Sequence, residues 1–143
     1  MVVRDARDAH LAASGYDTSG YEARIFWVKL GFLPLPFPNP GVLHLHDLHH
    51  VATGYGTDLV GEAEISLFEL RAGCRTLIVH LLCIGSILFA TFLAPRRLWR
   101  AWTRSKGARS LSRDSLSYEE LLALSVPELR AHMRVPPDGL ATP

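Results

Sequence analysis

The 143-residue sequence predicts an all-α fold, a small helical bundle with one long, strongly apolar helix that is membrane-seated or buried. Three observations predict it. No segment shows the period-two alternation of a half-buried strand, apolar residues recur at spacings of three and four, and Thr76 to Ala94 runs without a single Lys, Arg, Asp or Glu. A chain of this length holds one core. With 48% hydrophobic and 20% charged residues and a mean hydropathy of +0.14, it is too apolar for a disordered segment and leaves room for lipid contact. The net charge of +1 gives no pull toward nucleic acid. Basic charge nevertheless gathers in one block, Arg96, Arg97, Arg100, Arg104, Lys106, Arg109 and Arg113. Cys74 and Cys83 form no paired framework and no zinc ribbon, so both are expected to be free, buried thiols.

Residues 1–20 are small and polar and predict a flexible N-terminus, without the apolar run of a signal peptide. Tyr21, Ile25, Val28 and Phe32 form a helical stripe, predicting an amphipathic helix from Tyr21 to Phe32 that ends near Gly31. Pro34, Pro36, Pro38 and Pro40 then predict an extended connector rather than a strand or helix. A helix over about 41–53 is broken by Gly54-Tyr55-Gly56, and Thr57 or Asp58 caps the next, over 59–72. The apolar run 76–94 approaches the roughly 20 residues needed to span hydrocarbon. Pro95, Arg96 and Arg97 stop it, and Trp99 and Trp102 lie where an aromatic belt falls. The competing reading is a buried bundle helix or one lining an apolar ligand tunnel. Ser117 with Glu120 and Ser125 with Glu128 predict two short capped helices, packed through Leu121, Leu122, Leu124, Leu129 and Met133. Pro136-Pro137 closes a domain spanning 21–135, leaving 136–143 as a disordered tail.

His46-Asp47-Leu48-His49-His50 carries the chemistry. In a helix His46 and His50 share a face, with Asp47 about 100° from His46. An antiparallel second helix brings Glu62 back toward His50, making a candidate set of His46, Asp47, His50 and Glu62, with Glu69 further along. Imidazoles and carboxylates suit a divalent metal, zinc, iron or manganese, and two His with carboxylates and a vacant position favour catalysis over structure. His44, His49 and Glu69 are candidates for the surrounding hydrogen bonds that orient such ligands. Asp58 and Glu64 are expected to face away, serving capping or solubility, and Arg96, Arg97 and Arg100 to meet anionic headgroups or solvent. The alternative, three histidines on an exposed polar helix, is weakened by the spacing of Glu62. A membrane di-iron desaturase needs several His boxes and spans. An HD-type phosphohydrolase shares the His46-Asp47 doublet but needs an upstream His and a distant Asp, for which His10 and Asp114 fit poorly.

His46-Asp47-x-x-His50, eleven residues and Glu62 resemble the signature of the Coq-four family of coenzyme Q (ubiquinone) biosynthesis. The flanks His50-Val51-Ala52-Thr53-Gly54-Tyr55 and Gly61-Glu62-Ala63 agree, as does the tail from Tyr118-Glu119-Glu120-Leu121-Leu122 to Glu128-Leu129-Arg130. The resemblance covers roughly 37–135. It implies an all-helical fold and a divalent metal, commonly zinc, held by His46, Asp47, His50 and Glu62. It further implies a prenylated 4-hydroxybenzoate-type ligand decarboxylated at ring carbon one, oxidatively to the hydroxyl. The expected partners are that prenylated quinone lipid, a membrane surface, other quinone-biosynthesis proteins and a homodimer, with no nucleic acid. The expected location is a membrane, peripheral or single-span, at its cytoplasmic face. The other reading of the resemblance is a non-catalytic prenyl-lipid-binding scaffold that organises a quinone-biosynthesis complex. The chain departs from the eukaryotic members in lacking most of their N-terminal helical region.

Overall fold

A computed structural model describes residues 1–15, 17–22, 24–30, 33–38, 41–74 and 77–141. The elements are α1 (Val3–Ser14), a 3-10 turn (Thr18–Tyr21), β1 (Ile25–Leu30), β2 (Leu33–Pro38), α2 (Leu43–Thr53), α3 (Leu59–Ala72), α4 (Leu77–Thr91), α5 (Pro95–Arg104), a second 3-10 turn (Leu111–Arg113), α6 (Tyr118–Ala123) and α7 (Val126–His132). It is a small helical bundle. A two-stranded ribbon is its one sheet among the described residues.

Four stretches differ from the expectations, the proline connector among them, since it is a strand. Residues 1–20 are not a loose start, because Val3, Ala6 and Leu11 form a buried stripe on α1 and the Val3 N–H donates to the Leu124 carbonyl at 2.8 Å. Arg4, Asp5 and Asp8 of α1 sit on its outer side and hide that stripe from a composition reading. The predicted helix from Tyr21 to Phe32 is instead the end of a 3-10 turn followed by β1. Ile25-Phe26-Trp27-Val28 combines β-branched and aromatic residues, which favour a pleated backbone once a partner strand exists. The proline connector supplies it, pairing antiparallel from Ile25 opposite Pro38 to Leu30 opposite Leu33. Pro34, Pro36 and Pro38 share one parity, so their missing donors fall on one edge while Leu33, Leu35 and Phe37 keep theirs. The tail is also ordered in part: Leu140 is buried and, with Ala141, donates its N–H to the Thr53 carbonyl, at 2.7 and 3.0 Å. The expectations placed on Tyr16, Gly31, Phe32, Pro40 and Thr76 lie outside the described residues.

The apolar run 76–94 is divided. α4 ends at Thr91, Phe92 and Leu93 turn the chain, and Pro95 opens α5 as a first-turn proline. Among the described residues no helix is long and apolar enough to cross a membrane. The two capping boxes form as read, each Ser side chain accepting from the Glu N–H three residues on and each Glu reaching back.

The core joins α1, α2, α3, α6 and α7 through Val3, Leu48, Ile65, Phe68, Leu122 and Leu129. α2 and α3 form the hairpin that places the site. Gly54 ends α2 at φ 80°, in the left-handed region, and Asp58 caps α3 by accepting from the Val60 and Gly61 N–H groups at 2.9 Å. The turn closes so tightly that a Cβ at Gly61 would lie 2.1 Å from the Gly56 carbonyl oxygen. Gly61→Ala should therefore cost at least about 1–3 kcal/mol in urea unfolding. Gly85→Ala, with nothing within 4 Å of the new methyl, should stabilise α4 by about 0.5–1 kcal/mol. Equal midpoints for the two variants would contradict this hairpin geometry.

Candidate metal centre

Helical periodicity stacks His46 and His50 on one side of α2, and the tight turn sends Glu62 back over them from the first turn of α3. The Nε2 atoms of the two imidazoles stand 3.2 Å apart, with Glu62 Oε2 3.4 Å from His46 Nε2 and Glu62 Oε1 3.5 Å from His50 Nε2. Ligands about 2.0–2.1 Å from a tetrahedral zinc lie about 3.3–3.4 Å from one another. The His46–His50 and His46–Glu62 separations fit that requirement, and the distance to His50 is met by the other Glu62 oxygen. The group His46, His50 and Glu62 offers one ligand atom each within 4.8 Å of one another.

The remaining ring nitrogens decide what these atoms are. His50 Nδ1 faces the Tyr55 carbonyl oxygen at 3.0 Å, an acceptor only, so Nδ1 carries the hydrogen and donates. His46 Nδ1 likewise donates to Glu69 Oε1 at 2.9 Å. Both Nε2 atoms in the neutral rings are therefore lone pairs, turned toward each other and toward a carboxylate. Two imidazole nitrogens and a carboxylate this close repel unless positive charge, a proton or a metal ion, sits among them. The titration of the site agrees. Burial alone would lower the His46 pKa, but the carboxylates of Glu69 and Glu62 outweigh it and hold it well above the ordinary imidazole range. Burial likewise opposes ionisation of Glu62, yet His46 and His50 pull its carboxyl down to about 2.

Glu69 is the hub behind the site. It is buried, and one oxygen, Oε1, accepts from His46 Nδ1 and from His49 Nδ1 at 2.7 Å, while Oε2 takes the Cys83 thiol at 3.7 Å. Burial works against its ionisation, but His46 and His49 drive its pKa far below the usual carboxylate range. His49, excluded from the ligand set by its direction, has a definite place here. Its Nε2 accepts the Leu111 N–H at 3.0 Å, which fixes the ring between α2 and the second 3-10 turn.

Asp47 and His44 are not gathered into the cluster. The Asp47 carboxylate accepts from the Tyr21 hydroxyl, on the flank of α2 that faces the first 3-10 turn. His44 packs edge-on against Tyr118 and Tyr21, with ring centroids 4.8 and 6.0 Å away. Asp58 is the cap of α3, and Glu64 lies not in solvent but against Arg97 in a two-pronged ion pair of 3.1 and 2.6 Å. Arg97 is thereby committed. His10, a poor fit to an upstream site histidine by sequence, is nevertheless a neighbour of the cluster: it stacks on His50, 5.0 Å between centroids and 27° between planes. Its one sequence signal was its place, seven residues beyond Val3 on the stripe that buries α1.

No protein-family model, curated protein or solved structure matches the chain.

Two outcomes follow. Glu69→Gln should weaken zinc binding by about 10–100-fold in calorimetry, because the neutral amide no longer fixes the His46 tautomer. The pH dependence of the metal-free chain has a determined sign. Glu62 and Glu69, with pKa lowered on folding from 4.5, give stability present above that value and lost below it. His46, raised from 6.5, gives stability present below that value and lost as pH climbs through the raised one. The cluster's contribution to the melting temperature should therefore peak between these two ordinary values, and saturating zinc should move the optimum upward.

Proposed function

We propose that the chain is a divalent-metal protein of the Coq-four type, acting on a prenylated aromatic acid of the 4-hydroxybenzoate kind and supporting its decarboxylation at ring carbon one. The observation that carries the metal half of this reading is the convergence of two imidazole Nε2 atoms and one carboxylate, at 3.2–3.5 Å. His46, His50 and Glu62 would hold the ion, most simply zinc, with iron or manganese as the alternatives. The sequence motif supports the substrate half, by resemblance alone.

Three protein ligands leave room for a substrate oxygen, the arrangement of catalytic rather than structural sites. The side chains of Glu62 and His46 keep part of their surface open, at 38% and 25%, whereas His50 is sealed beneath them. A ligand thus approaches from the Glu62 side. A bound divalent ion supplies Lewis acidity toward a substrate carboxylate or phenol oxygen. The chain's part is to fix Nδ1 of His46 and His50 as donors through Glu69 and the Tyr55 carbonyl, which turns Nε2 toward the ion, and to hold Asp47, through Tyr21, one helical position from the ligands. Loss of carbon dioxide leaves an electron pair on the ring carbon, which a proton takes up. Conversion to the hydroxyl further takes an oxygen atom from water and passes two electrons to dioxygen or another two-electron oxidant as co-substrate.

Elemental analysis of the purified chain should return one divalent metal per chain. Ring decarboxylation should fall by at least about 10²-fold in His50→Ala and Glu62→Ala if the ion stabilises charge in the transition state. Metal bound in the wild type but unchanged decarboxylation in both variants would leave a lipid-binding scaffold whose metal braces two helices, and would refute the catalytic reading.

A further inference from the structure

α4 packs on α3, and among its described side chains the buried ones are small, Cys83 and Ala90, with His80, Ser86 and Ile87 half-buried. Its opposite side presents Leu81, Ile84, Leu88 and Phe89 to the outside, at spacings of three and four, with Leu81 and Leu88 each 62% exposed. The turn into α5 continues the surface with Phe92, 89% exposed, and Leu93. A helix in water buries its large apolar residues and shows its small and polar ones. The reverse arrangement, small residues toward neighbouring helices and large apolar ones outward, is that of a helix facing hydrocarbon.

The charge around this surface names what covers it. No Asp or Glu occurs between Glu69 and Asp114, so α4, α5 and the turn between them carry no acid of their own. α5 adds Trp99, 68% exposed, and Trp102, residues suited to the boundary between hydrocarbon and headgroups. Arg96 and Arg100 are exposed beside them and form no ion pair among the described residues, while Arg97 is spent on Glu64. A second copy of the chain would have to cover the same surface with its own arginines facing these. An anionic lipid surface meets both the apolar and the basic parts. At 15 residues and about 1.5 Å per residue α4 reaches about 22 Å, short of the roughly 30 Å of a hydrocarbon core.

We infer that α4 and α5 form a one-leaflet anchor: the outer side of α4 and the Phe92-Leu93 turn enter the acyl region of an anionic membrane, with Trp99, Trp102, Arg96 and Arg100 at its headgroups. α3 lies between this anchor and α2, so the metal ligands sit above the membrane plane rather than within it. The inference rests on exposure and charge, independently of the metal reading.

Flotation of the full chain tests it, with vesicles of phosphatidylcholine and of phosphatidylcholine containing phosphatidylserine. The wild type should float with the mixed vesicles and more weakly with the neutral ones. Arg96→Gln with Arg100→Gln should reduce binding to the mixed vesicles by roughly thirtyfold, at about 1 kcal/mol per basic residue, and leave neutral-vesicle binding unchanged. Leu88→Asp and Phe92→Asp should each abolish flotation. Because both side chains are exposed, their melting temperatures should match the wild type. If either variant unfolds, brominated lipid decides the matter in the folded Trp27→Phe chain, where it should quench Trp99 and Trp102. Absence of flotation, flotation that ignores Leu88→Asp, unquenched tryptophans, or a stable dimer in buffer that Leu88→Asp dissociates would each overturn the anchor.

Discussion

The arrangement turns on which nitrogen of two imidazoles carries hydrogen. Once the Tyr55 carbonyl claims His50 Nδ1 and Glu69 claims His46 Nδ1, the Nε2 lone pairs have nowhere to point except at each other and at Glu62. That electrostatic demand is created by backbone and buried side chains away from the opening, so a ligand does not have to impose it. The tight Gly56 to Gly61 approach then sets the height of α3 over α2, and with it the position of both glutamates. Fold and site share one constraint.

Glu69 carries an unusual load because its oxygens serve three partners on two helices. His46 and His49 lie on α2, and Cys83 lies on α4. The carboxylate therefore joins the metal ligands to the helix that turns its apolar side outward. Burial makes such a group expensive to leave unpaired, which is why all of its partners are donors. His49 carries the same chain of contacts on to the Leu111 N–H, tying the centre to the C-terminal helices.

Local chemistry made much of this legible in the sequence. The α2–α3 hairpin could be read because Gly54, Gly56 and Asp58 act over a few residues, and the capping boxes at Ser117 and Ser125 are equally local. From the same spacing His46, His50 and Glu62 were foreseen together. What could not be read depends on distant partners. α1 is ordered by a stripe that needs the Leu124 carbonyl and the core beyond it, and the ribbon needs prolines whose shared parity matters only after pairing. Leu140 is fixed by the Thr53 carbonyl, far away in the chain. Asp47 illustrates the limit at the site: helical spacing puts it near His46, but Tyr21 takes its carboxylate. Apolar length likewise suggested a span in 76–94, whereas the turn at Phe92 shows that outward-facing side chains, not continuous length, are what distinguish α4.

The most direct measurement is nitrogen-15 NMR of the imidazole side chains, recorded on the chain at neutral pH or above with and without one equivalent of zinc. The account predicts that His46 and His50 carry hydrogen on Nδ1 in the zinc-bound chain and that both Nε2 resonances shift on binding, while His49 keeps its Nδ1 hydrogen unchanged. Nε2–H tautomers for His46 and His50 that persist with zinc present, or zinc-induced shifts at other histidines alone, would contradict it.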